Sequence, residues 1–134
     1  MKNQSVGVAR FIHPAILSDN GSSNIEGDQS PYSVNGSHYF VVLVSNDNAL
    51  IVVPCFSRSG FGRIEVPSTV RSGHPSWTQK PCFIAFPQFC LASLEAFQKA
   101  AYAANDRSSL QKPNIIDPKW LLAAWKMNFT NSIH

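Results

Sequence analysis

The chain has 134 residues, 44% of them apolar, and a formal net charge of +3. That length suits a single domain, 1–134, with one ordinary core, and so modest a charge does not by itself point to a nucleic-acid partner. No apolar stretch approaches the ~20 residues of a membrane-spanning helix, and Met1-Lys2-Asn3-Gln4-Ser5 leads into no signal core, so a soluble cytoplasmic protein with no membrane partner is expected.

Val6 to Leu17 places Val6, Val8, Phe11 and Ile12 at strand-like positions, and Pro14 ends that strand or confines it to an edge. Residues 18–37 are rich in Ser, Asn, Gly and Asp and predict a long mobile loop, of a length that small domains keep for lids, binding loops or partner-binding segments. From His38 to Phe56, two β-branched stretches flank Asn46-Asp47-Asn48, which predicts a central hairpin buried on both faces. The second stretch runs into Ser57-Arg58-Ser59-Gly60-Phe61-Gly62-Arg63, a flexible basic loop on a rigid scaffold. Gly62 to Ser68 alternates like a half-exposed strand, and Arg71 to Lys80 is a second polar loop. Pro81 to Ser93 is apolar but interrupted by Pro87, as in two short strands or one bulged strand. Ser93 can cap a helix over about 94–104 with Glu95 in its first turn, and Asp117-Pro118 starts another over about 118–128. These elements make an α+β fold, with a small sheet of about five to six strands over about 6–92 followed by two C-terminal helices.

No Walker loop, GxGxxG, HExxH, CxxC or paired-carboxylate motif occurs, which removes many nucleotide and metal enzymes. His74 with Cys55, Cys82 and Cys90 lacks the short ligand pairs that anchor zinc, so neither metal nor cofactor is expected. The three thiols read as buried packing residues; the alternative is a thiol nucleophile near His38 or His74. Charge is uneven along the chain. Residues 51–80 hold Arg58, Arg63, Arg71 and Lys80 against Glu65, whereas residues 1–50 hold Lys2 and Arg10 against Asp19, Glu26, Asp28 and Asp47. Arg58 and Arg63 flank Gly60-Phe61-Gly62, and Trp77 lies between His74 and Lys80. Phosphate clamping and base stacking need that combination of cations, rings and bendable backbone. The plainer alternative tucks Phe61 and Trp77 against the core and leaves the charges solvated.

The order of elements resembles the MazF/PemK-like toxins of toxin-antitoxin systems, from about Val6 to Ala104. The most similar stretches are Tyr39-Phe40-Val41-Val42-Leu43-Val44-Ser45-Asn46-Asp47, Val52-Val53-Pro54-Cys55-Phe56-Ser57 and Pro81-Cys82-Phe83-Ile84-Ala85-Phe86-Pro87-Gln88. The resemblance implies an SH3-like β-barrel, homodimerisation, a neutralising antitoxin protein and cleavage of single-stranded RNA. In that family the first stretch usually opens with an Arg-Pro pair and the second carries Thr before Ser. Here Tyr39-Phe40 and Phe56-Ser57 stand there, so Ser57 alone remains of the usual set.

The expected function is therefore that of a toxin acting as a metal-independent endoribonuclease. His38 or His74 would be the base that takes the ribose 2′-hydroxyl proton, and Arg58 and Ser57 would contact the phosphate and its developing charge. Arg63, Phe61, Arg71, Trp77 and Lys80 would bind RNA. The alternative is a non-catalytic protein-interaction module on the same SH3-like barrel, which Tyr39 and Phe56 at normally catalytic places favour.

Overall fold

Branched and aromatic side chains favour extended backbone, and the run from His38 to Phe56 is built largely from them. In a computed structural model, which describes residues 5–14, 36–47, 49–104, 106 and 113–133, this run forms the centre of a curled antiparallel sheet. The strands are β1 (Val8–Ile12), β2 (His38–Asn46), β3 (Ala49–Phe56), β4 (Ile64–Glu65), β5 (Arg71–Ser72), β6 (Phe83–Ile84), β7 (Cys90–Ser93) and β8 (Asn114–Ile116). The helices are α1 (Pro75–Thr78), α2 (Leu94–Ala103) and α3 (Pro118–Ile133). The expected mobile loop over 18–37 lies outside the described residues except for its last two positions.

Strands β2 and β3 form the expected hairpin, and at its turn Asp47 adopts a left-handed φ of 49°, which a short polar side chain tolerates. Val42 faces Val52 while Val44 faces Ile51, so Leu43 is the extra residue of a β-bulge. Side chains alternate between two cores. Phe40, Val42, Leu50 and Val52 pack with Phe97, Ala100 and Ala101 of α2, whereas Val41, Leu43, Val53 and Cys55 pack on the other face with Trp77, Ile84 and Leu121. Burial on both faces explains why the strands lack a polar alternation.

The outer edge of β3 is shared. Its first half pairs with β7 and its last two residues with β6, while a 3-10 turn at Phe86–Gln88 carries the chain between them. Pro87, which cannot donate to a ladder, sits in that turn, so the sheet splits and curls there. On the far side the order continues β2-β1-β8-β5. The mixed α+β architecture and the two C-terminal helices agree with the sequence reading. The strands at Arg71–Ser72 and Asn114–Ile116 and the short helix α1 extend it, and α3 runs on to Ile133, beyond the expected end.

Local chemistry sets the helix starts. The Ser93 hydroxyl accepts from the Ala96 N–H at 3.0 Å, and the Asp117 carboxylate accepts from the Lys119 N–H at 3.0 Å ahead of Pro118. Beyond α2, the buried Asp106 carboxylate accepts from the Arg10 guanidinium and from the Phe11 N–H, tying this segment to β1. Among the described residues no helix is long and apolar enough to cross a membrane.

Candidate functional site

A cleft of about 580 Å³ opens where the start of β2, the end of β3 and the segment from His74 to Cys82 converge. Two histidines enter it from different walls, and the backbone orients each differently. His38 Nδ1 lies 3.2 Å from the Cys55 carbonyl oxygen. A carbonyl can only accept, so Nδ1 carries the hydrogen and the neutral ring has its lone pair at Nε2. The ring also packs against Phe56, centroids 4.9 Å apart.

His74 is held the other way round. It caps α1, its Nδ1 accepting from the Ser76 N–H at 3.0 Å, so the neutral ring carries its hydrogen at Nε2. Its own N–H donates to Asn114 Oδ1 at 2.8 Å. The Ser76 hydroxyl lies 2.9 Å from Nδ1 and 2.8 Å from the Tyr39 hydroxyl, which makes a chain His74–Ser76–Tyr39 along the cleft. Burial pushes the Tyr39 phenol up; the Ser76 contact pulls it down and the negative Asp106 adds to the rise, so Tyr39 stays a hydroxyl at neutral pH.

The segment between the histidine and the lysine is pinned from behind. Arg71 Nη1 donates to the carbonyls of Trp77 and Lys80, at 2.6 and 2.7 Å. The Trp77 indole N–H donates to the Ile115 carbonyl at 3.2 Å, and its ring packs on Tyr39. Gly73 makes the approach possible: at φ +129° an added Cβ would fall 2.3 Å from Asn114 Oδ1. Asn114 is buried and cannot step aside without giving up the His74 N–H. Gly73→Ala is therefore expected to cost about 1–3 kcal/mol from backbone strain alone and to displace His74. Thermal unfolding measures the first effect and the His74 ring signals in NMR the second.

Of the residues expected to act, His38, Ser57, His74, Trp77 and Lys80 line the cleft, and Arg58, Phe61, Arg63 and Arg71 do not. The guanidinium of Arg63 folds back over the Phe56 ring, 3.7 Å from its centroid, and donates to the Arg58 carbonyl at 3.0 Å. Phe61 stands fully exposed on its glycine-flanked tip. Arg71 lies off the cleft and donates to backbone carbonyls. Trp77 is 2% exposed with its N–H satisfied, which leaves no open face for a base to stack on.

The link of Tyr39 to His74 through Ser76 escapes sequence reasoning because it joins β2 to a segment far along the chain. The local signal was His74-Pro75-Ser76, a capping residue and proline opening a helix turn. Among the described residues no three His, Cys, Asp or Glu side chains gather as a metal site. In comparison with known proteins, no family model, no curated protein and no solved structure matches the chain.

Proposed function

We propose that this cleft binds single-stranded RNA and cleaves it without a metal, as the toxin of a toxin-antitoxin pair built on an SH3-like barrel. The observation that carries this reading is that two histidines of opposite neutral tautomer, Lys80 and Ser57 are among the residues lining one cleft. Its volume lies within the ~300–1,000 Å³ common for ligand pockets. His38, with its lone pair at Nε2, takes the proton of a ribose 2′-hydroxyl as that oxygen bonds to phosphorus. His74 carries a hydrogen at Nε2 in either protonation state; protonation of Nδ1 gives up the bond from the Ser76 N–H, the Ser76 hydroxyl oxygen accepts from Nδ1–H instead, and the imidazolium gives its Nε2 proton to the departing 5′-oxygen. Lys80 and Ser57 stabilise charge on the phosphorane, the part that sequence reasoning assigned to Arg58 with Ser57. Phe11, Tyr39 and Phe56 supply ring surface for a base. An antitoxin, a homodimer and a cytoplasmic setting belong to the same proposal.

A long RNA incubated with the purified protein in EDTA is expected to break into fragments ending in 2′,3′-cyclic phosphate and 5′-hydroxyl. Intact RNA across a range of pH overturns the nuclease reading. One feature favours the second reading, a protein-interaction module: the fully exposed Phe61 on a tip that the cleft does not use. Expression alone separates the two, since a toxin arrests growth and an adaptor does not.

A further inference from the structure

Two groups in the cleft wall, Cys55 and Cys82, have no part in RNA cleavage as proposed. Cys55 faces Ile84 across the ladder between β3 and β6, and Cys82 precedes Ile84 by two residues. Cys82 lies just before β6, one step beyond the Phe56–Phe83 pair, and packs in the same core cluster as Cys55 and Ile84. The two thiols are hydrogen-bonded to each other, and both residues line the cleft. We propose that Cys55 and Cys82 form a reversible dithiol–disulfide site that locks the cleft when a hydroperoxide oxidises it.

The chemistry is divided between the two sulfurs. The hydrogen bond with Cys55 holds Cys82 below the usual thiol range against the opposing effect of burial, and the Arg71 charge adds to the lowering; burial raises Cys55 well above that range. Cys82 is thus the first nucleophile. Its thiolate attacks one peroxide oxygen of hydrogen peroxide, the O–O bond breaks, and the departing hydroxide takes a proton to leave as water. The sulfur of Cys55 then attacks the Cys82 sulfenic acid, the S–O bond breaks, and the hydroxyl leaves with the Cys55 proton as a second water. Two thiols have lost two electrons and two protons, and one peroxide has become two waters. A reducing compartment keeps such a pair as thiols until an oxidant arrives.

The disulfide would join the wall that holds His38, through the Cys55 carbonyl, to the segment carrying Lys80, whose carbonyl Arg71 already clamps. Cys90 is a built-in control, since it lies in the opposite core cluster and burial pushes its thiol up to about 12. The site stands independently of RNA cleavage because its readout is mass.

The test treats the purified full chain with hydrogen peroxide under native conditions, alkylates after unfolding, and maps peptides by mass spectrometry. The expected result is a Cys55–Cys82 cross-link lighter by two hydrogens and reversed by dithiothreitol, with Cys90 alkylated throughout. Cys55→Ser is expected to stop at a Cys82 sulfenic acid that dimedone traps. Native iodoacetamide labelling of Cys82, which lines the cleft, should outpace that of Cys90, which does not. Oxidation to sulfinic acid without a cross-link, or Cys90 oxidised as readily as the pair, overturns the proposal.

Discussion

His38→Ala and His74→Ala are each expected to slow RNA cleavage by about 10²–10⁴-fold, the usual worth of a positioned proton donor or acceptor. Neither change should unfold the protein. His38 is only half-buried and His74 is exposed, and neither belongs to the two core clusters. Single-turnover cleavage of a labelled RNA measures the chemical step directly, so the loss appears there while RNA affinity changes little. Lys80→Ala should lower the rate as well, through the lost charge on the phosphorane. Arg58→Ala should leave it nearly intact, because Arg58 does not line the cleft. The converse, a silent His38→Ala beside an inactive Arg58→Ala, would return the chemistry to the basic loop and undo the cleft assignment.

Trp77→Ala should be the most destabilising single change near the site, costing about 3–5 kcal/mol. That is a large share of the ~5–15 kcal/mol by which folded domains exceed their unfolded chains. Truncation would remove the largest fully buried side chain, part of the core cluster that also holds Leu121 and Ile116 and packed on the Tyr39 ring, and it would leave the Ile115 carbonyl without its indole donor. Trp77→Phe should cost less, since the ring volume is largely kept and chiefly the hydrogen bond is lost. Urea unfolding of the three proteins gives the ranking. If Trp77 instead stacked on RNA bases, alanine would leave the midpoint unchanged and weaken RNA binding by about 1–3 kcal/mol.

What was legible in the chain was whatever depends on neighbours in sequence. The hairpin followed from two branched stretches around Asp47, the split after Ile84 from Pro87, and the helix starts from Ser93 and Asp117-Pro118. Each is a local preference for particular backbone angles or a cap, and local preferences survive folding. The short strands β5 and β8 were not legible. Two or three residues carry no periodicity, and their extended form comes from pairing with one another and with β1.

The site divides along the same line. His38, Ser57, His74, Trp77 and Lys80 were singled out by residue type, but type does not say where a side chain ends. Arg63 turned back onto Phe56, Arg71 onto two carbonyls, and Trp77 into the core, because a guanidinium or an indole takes whatever acceptor or apolar surface the fold brings within reach. Which histidine nitrogen holds the hydrogen was decided by the carbonyl of Cys55 and the N–H of Ser76. The register of β3 against β6 sets Cys55 opposite Ile84, and the core cluster that holds both also holds Cys82. The amino-acid order therefore determined the elements and the chemical groups available, while tertiary structure alone determined which groups meet, since hydrogen-bond partners and strand register are long-range contacts that no stretch of sequence contains by itself.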